Sequence, residues 1–234
     1  SDLLFFGQSS FSQYVVTRAS NAVVVDPEVD LTLLGPLGCG IQTGSGTVLN
    51  RLKPVVGESL VVFGCGAVGL SAIMAAKLTG CSQIIAVDIH ASRLALAGEL
   101  GATHQINGKE QDAVAVIKQI TGKGAHYAVE TTGVSAIVLQ AVHAVKPLGT
   151  VAIVGFTGDI TLNVQNDLMA EGKSLVGVIE GDAVPALFIP LLVQLYKQGK
   201  FPIDKLIARY PLADINQAFA DSASGKVIKP VVVM

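Results

Sequence analysis

Val61-Val62-Phe63-Gly64-Cys65-Gly66-Ala67-Val68-Gly69 is the stretch whose reading decides the fold. The apolar run reads as a strand, the glycines as a tight turn, and Gly66–Lys77 as a helix opening on that turn. Ile84-Ile85-Ala86-Val87 reads as a second strand, ended by Asp88 nineteen residues beyond Gly69. Strand, glycine turn, helix, strand and acid at this spacing form a dinucleotide fingerprint. Gly64 permits the sharp turn, Gly66 lets a pyrophosphate approach the backbone, and Gly69 lets the helix pack against the sheet. The helix N-terminus, with unpaired N–H groups and the positive end of the dipole, favours an anion. Asp88 is placed to accept hydrogen bonds from a ribose diol. A glycine turn serving only packing in a generic α/β protein is the competing reading.

Working outward, the alternation continues. Ser92–Leu100 reads as a helix with Arg93, Leu94, Leu96 and Leu100 on a broad face, and Thr103–Ile106 as a short strand. Ala113–Ile120 reads as a helix, Ala125–Val129 as a strand, Ser135–Val145 as a helix and Gly149–Gly155 as a strand. Ser174–Ile179 is a further strand candidate. Strands alternating with helices of this length imply parallel pairing through crossovers. The expectation is an α/β, doubly wound parallel sheet with ligand at the carboxyl ends of its strands.

The flanks break the rhythm. Residues 1–35 read as β-rich, with strands over Phe11–Val16 and Ala22–Val25. Residues 180–234 read as a helix over Pro185–Lys197, a turn at Phe201-Pro202, a helix over Ala213–Ala220 and a strand over Val231–Val233. Leu212, Ile215 and Phe219 fall at helical spacing, which points to packing. The expected division is residues 1–40, 41–179 and 180–234, the first and last being separated pieces of a second domain.

Composition sets outer bounds. Half of the 234 residues are apolar, 15% are charged, and the net charge is −2. That balance shows no electrostatic footprint for nucleic acid. No apolar run reaches membrane-spanning length, and Ser1–Phe6 lacks the basic flank of a signal peptide. Cys39, Cys65 and Cys81 form no CxxC pair, so a reducing cytoplasm is the expected compartment. His90, His104, His126 and His143 show no ligand spacing and read as surface or capping residues. No closely spaced carboxylate pair suggests acid–base work.

Several segments together resemble the zinc-dependent medium-chain alcohol dehydrogenases, especially the aryl-alcohol branch. They are Phe6-Gly7-Gln8-Ser9-Ser10-Phe11, Gly35-Pro36-Leu37-Gly38-Cys39-Gly40-Ile41-Gln42-Thr43-Gly44, the fingerprint, Val87-Asp88-Ile89 with Arg93-Leu94, Leu100-Gly101-Ala102-Thr103, and Val178-Ile179-Glu180-Gly181-Asp182. The resemblance implies a catalytic domain that precedes the nucleotide domain and is completed by the C-terminal residues, remnants of which would be the β-rich flanks. It implies oxidation of a primary, aromatic alcohol to the aldehyde, with zinc as Lewis acid and NAD taking the hydride.

Residue by residue, the resemblance implies zinc ligation by Cys39, and Thr43 on the catalytic side with Val68 near the nicotinamide. Gly64, Gly66, Ala67, Val68 and Gly69 would cradle the pyrophosphate. Asp88 would hold the adenosine ribose, with Ile89 and Arg93 beside it. Glu130, Thr131 and Thr132 would line the cleft, Val154, Gly155 and Phe156 would approach the nicotinamide, and Lys229 would reach the pyrophosphate. Pairing of subunits through the sheet edge at Ser174–Ile179 gives a homo-oligomer. The family's other zinc-binding cysteine and histidine, its GHE-type motif and its four-cysteine lobe have no match in this sequence. The chain is therefore expected to be a C-terminal fragment, inactive alone. Cys65 is expected to be a packing thiol, and Cys81, which follows a helix-ending glycine, to have no partner. A zinc-free quinone reductase of the same superfamily, a non-catalytic nucleotide-binding module and a methyltransferase are the rival readings.

Overall fold

The computed structural model describes residues 11–234. The motif Phe6–Phe11 and the start of the β-rich flank lie outside the described residues, Phe11 apart. The described residues divide into two compact units, one of residues 39–183 and one of residues 11–38 with 184–234.

The larger unit opens with α1 (Gly40–Gly46), which runs into a wider turn over Thr47–Leu52. Then come β1 (Ser59–Phe63), α2 (Ala67–Thr79), β2 (Gln83–Asp88), α3 (Ala91–Leu100), β3 (His104–Asn107), α4 (Ala113–Thr121), β4 (Ala125–Glu130), α5 (Ser135–Ala144), β5 (Val145–Ile153) and β6 (Ser174–Gly177). All pairings are parallel, in the order β3-β2-β1-β4-β5-β6. This is the doubly wound sheet that the alternation predicts, with its order reversing between β1 and β4.

Burial on both faces explains the unbroken apolar strands. All five residues of β1 are buried. Val61, Phe63, Ile85, Val87, Ile106, Ile117, Val142 and Val151 share one core cluster. In α2 every residue from Gly69 to Ala76 is buried; an apolar helix with no polar face belongs inside. Gly80 ends α2 in the left-handed region, a normal helix stop. Helix α5 passes straight into β5, so Val145, expected to be helical, pairs with Ala125 instead. Pro147 and Gly149 disguise that strand start as a turn.

In the other unit, α6 (Pro185–Lys197), β7 (Ile207–Pro211), α7 (Ile215–Ala223) and β8 (Lys229–Val233) follow one another. β7 and β8 form a two-stranded parallel sheet. The strands expected over Phe11–Val16 and Ala22–Val25 do not form among the described residues. Val16 and Val24 are more than nine-tenths exposed, and apolar residues with neither a ladder partner nor a core to face do not make a strand. The separated pieces of this unit do meet. Lys197 pairs with Asp26 and Glu28, and Arg209 pairs with Asp30 at 2.8 Å. Phe219, expected to pack inward, is exposed and meets Phe11 edge to face; Ala218 and Asp221 are the buried residues of α7.

Candidate functional site

At the carboxyl ends of β1, β2 and β4, backbone hydrogen bonds fix the glycine turn. Gly64 donates its N–H to the Val87 carbonyl at 2.8 Å, and Thr131 donates to the Phe63 carbonyl at 3.0 Å. The Thr131 hydroxyl donates to the carbonyls of Phe63 and Gly64, at 2.9 and 3.1 Å. Gly64 has φ +92°, which glycine alone adopts without strain. A Cβ at Gly69 would lie 1.8 Å from the Gly64 carbonyl oxygen, whereas one at Gly66 would meet nothing within 4 Å. Helix α2 is thus clamped to the turn at Gly69 and open to a ligand at Gly66. No side chain caps its N-terminus and no acid occupies its first turn. The first N–H groups of a helix lack intrahelical partners, so Ala67, Val68 and Gly69 present an anion-binding end.

Asp88 is 8% exposed. Its Oδ2 accepts the Cys65 N–H at 2.6 Å, and its Oδ1 accepts those of Ile89 and His90 at 2.7 and 2.9 Å. The carboxylate therefore pins the glycine turn and also keeps acceptor capacity at the mouth of the site. Cys65 is fully buried, and burial followed by the Asp88 charge pushes its thiol well above the ordinary range. It is an inert packing thiol, as expected. Arg93 on α3 keeps a buried Nε without a hydrogen-bond partner.

On the neighbouring strands, the buried Glu130 carboxylate accepts from the backbone N–H groups of Thr132 (2.6 Å) and Gly133 and from the Thr132 hydroxyl. Its backbone carbonyl accepts from Val154 and Gly155 at 2.9 and 3.1 Å. This ties the ends of β4 and β5 together, and Phe156 beyond them is fully exposed.

The other wall is α1. Thr43 is nearly buried, and its hydroxyl lies 3.4 Å from Glu180 Oε2, which also accepts from Gln42 Nε2 at 3.0 Å. Cys39 flanks the N-terminus of α1 and is exposed. A catalytic zinc takes three protein ligands. Among the described residues, no group of three or more His, Cys, Asp or Glu could hold a metal, so the described residues do not make a zinc site. Lys229 opens β8 in the other unit. A cavity of about 470 Å³ in that unit is lined by Gln13, Tyr210, Pro211, Leu212, Val233 and Met234 with Arg209, and brings no acid, thiol or imidazole to it.

Residues 67–197 match the family model described as zinc-binding dehydrogenase. The chain belongs to the zinc-binding dehydrogenase family. This chain is similar to the solved benzyl alcohol dehydrogenase of Acinetobacter calcoaceticus, with 52% identity and a TM-score of 0.95 over 97% of the chain and 64% of that protein. An alcohol dehydrogenase zinc-binding domain protein from Burkholderia ambifaria gives the same identity and TM-score over 98% of the chain and 63% of its own. The geraniol dehydrogenase of Castellaniella defragrans is 44% identical over 98% of the chain and 62% of its length. The chain thus spans somewhat under two thirds of the length of these relatives.

Sequence reading missed two links in this site. The Thr131 hydroxyl bridges to the glycine turn, and Glu180 bridges to Gln42 and Thr43. Each joins residues far apart in sequence, and no local spacing signals it.

Proposed function

We propose that this chain supplies the NAD-binding part of an alcohol dehydrogenase that oxidises a primary, aromatic alcohol to its aldehyde. The observation that carries the reading is the pairing of the open, uncapped N-terminus of α2 with the Asp88 carboxylate on the adjacent strand. The open space at Gly66 fits a pyrophosphate against the Ala67, Val68 and Gly69 N–H groups. Asp88 accepts from the adenosine ribose, flanked by Ile89 and Arg93. Thr131 and Thr132 line the floor, Thr43 and Val68 bound the nicotinamide end, and Val154, Gly155 and Phe156 close the opposite side. A bound nicotinamide would supply the hydride acceptor for the alcohol, and this chain's residues would hold and orient it. Of the zinc ligands that the resemblance implies, Cys39 is the one matched in this sequence. The similarity to benzyl alcohol and geraniol dehydrogenases supports the aromatic or allylic substrate class. The compartment is a cytoplasm, consistent with three cysteines outside any disulfide and with no described helix long and apolar enough to cross a membrane. The chain associates with copies of itself through the β6 edge.

Titration with NADH and NADPH tests the cofactor assignment. NADH is expected to bind the tighter, because Asp88 repels a 2′-phosphate and the ribose hydrogen bonds are lost. Asp88→Ala narrows the difference. Equal affinities in the wild type overturn the assignment.

A further inference from the structure

The turn that leaves β6 carries three successive residues in the left-handed region: Glu180 at φ 49°, Gly181 at φ 68° and Asp182 at φ 47°. Side chains other than glycine are strained there, and such strain persists where the surroundings over-determine it. Here α1 and its continuation supply the restraint. Glu180 Oε2 accepts from Gln42 and Thr43. The Gly181 carbonyl accepts from Asn50 Nδ2 at 3.0 Å, and Asp182 pairs with Arg51 at 3.2 Å. A Cβ at Gly181 would lie 2.4 Å from the Gln42 carbonyl oxygen, and one at Gly46 would lie 2.4 Å from the Gly181 carbonyl oxygen. The two backbones are in close contact.

Helix α1 cannot hold its own position. It has seven residues, three of them glycine, and a helix so short and so poor in helix formers depends on its packing. Its far face is pressed onto α2. A Cβ at Gly44 would lie 1.9 Å from the Val68 carbonyl oxygen, and the Ser71 hydroxyl reaches the Gly40 carbonyl at 3.4 Å. Val68 belongs to the first turn of α2, the anion-binding turn.

We propose that Glu180 is a positioning residue for the dinucleotide site: by holding Gln42 and Thr43 it seats α1 against the first turn of α2 and fixes the Thr43–Val68 wall. The proposal rests on the dinucleotide reading of the site. Glu180 acts through α1 rather than by touching the cofactor.

The test is NADH affinity of the full 234-residue chain, followed by cofactor fluorescence well below the melting temperature, with Tm recorded for each variant. Glu180→Ala is expected to weaken NADH binding about tenfold, the scale of one lost hydrogen-bonded contact. Glu180→Gln, which keeps an acceptor oxygen at the same reach, is expected to recover most of that loss. Gln42→Leu combined with Glu180→Ala is expected to bind within about twofold of Glu180→Ala alone, because coupled residues are not additive. A lowered Tm with unchanged NADH affinity in Glu180→Ala, or effects that multiply in the double variant, overturns the proposal and leaves the dinucleotide reading intact. A wild-type chain that does not bind NADH removes both. Should Glu180→Ala fail to fold, Gln42→Leu and Thr43→Val each remove one donor to the carboxylate, and unchanged NADH affinity in both overturns the proposal.

Discussion

The Asp88 carboxylate accepts the Cys65 backbone N–H at 2.6 Å, so the acid ending β2 holds the glycine turn that ends β1. With the Ile89 and His90 N–H groups on its other oxygen, one side chain organises both strand ends. Asp88→Asn keeps one acceptor oxygen and cannot serve both sets. It is expected to lower unfolding stability by about 1–3 kcal/mol, the cost of leaving a buried donor unsatisfied, as well as weakening NADH. Urea unfolding and NADH titration on the same variant check this. Weakened binding at unchanged stability would show that the backbone bonds are dispensable.

Two glycines of the turn should respond in opposite ways. At Gly66, where φ is −79° and the space is open, alanine is expected to fold normally and to weaken pyrophosphate binding. At Gly69 the new methyl would strike the Gly64 carbonyl, and backbone must move. Overpacking of this kind costs about 1–3 kcal/mol or more, so Gly69→Ala is expected to melt lower or fail to fold. Circular dichroism melts of the pair decide it, and similar Tm values for both contradict the geometry.

The parallel sheet was legible because its strands are apolar on both faces and its helices are cut by glycine stops such as Gly80 and Gly101. The glycine turn and Asp88 were legible as a local motif. Helix α1 was not, since three glycines in seven residues carry no helical signal; packing against Val68 and Gly181 demands them. Strand β7 was missed because Arg209 and Pro211 interrupt its pattern. The reverse error, strands over Phe11–Val16 and Ala22–Val25, came from β-branched runs that find no ladder partner among the described residues.

His126 gives the sheet a pH dependence at its opposite pole. Its Nδ1 accepts the Ser59 backbone N–H at 3.1 Å and lies 2.8 Å from the Ser59 hydroxyl, while the His126 backbone N–H donates to that hydroxyl at 3.2 Å. An Nδ1 that accepts a backbone N–H leaves the ring neutral, with its proton assigned to Nε2. Burial, then the Lys146 charge, hold the imidazole below its ordinary value, with Glu58 opposing and the Tyr127 ring facing it. A base depressed in the folded state binds protons more readily when unfolded. Its contribution to stability is thus present above about pH 6.5 and is lost as pH falls through the folded value. The carboxylates of Asp26, Asp30 and Asp221 sit below their ordinary range and act only in stronger acid. Urea midpoints from pH 7.5 to 5 are expected to fall for the wild type and to flatten in His126→Gln. An unchanged slope in the variant rejects the assignment.

Zinc content follows from ligand number. With Cys39 as its one offered ligand, the chain is expected to hold well under about one zinc after dialysis, because a catalytic site needs three protein ligands. Metal analysis checks this, and a stoichiometric content would mean that other residues of the chain complete a site.

Self-association should run through β6. Among the described residues it pairs with β5 alone, which leaves the other side of Ser174–Gly177 as the edge of a six-stranded sheet. Such an edge invites another strand, and pairing with its own copy across a two-fold axis extends the sheet without leaving an open chain of contacts. Val176 is half-buried at the middle of that strand. In a symmetric pair it approaches its own copy, so Val176→Lys sets like charges against each other. The wild-type chain is expected to scatter light as a monodisperse dimer or a multiple of it, and the variant as a smaller species. Because the side chain at position 176 is only partly covered in the chain alone, the variant is expected to keep its fold and its NADH affinity. A wild type that stays monomeric at micromolar concentration, or a variant whose assembly is unchanged, rules out the β6 edge.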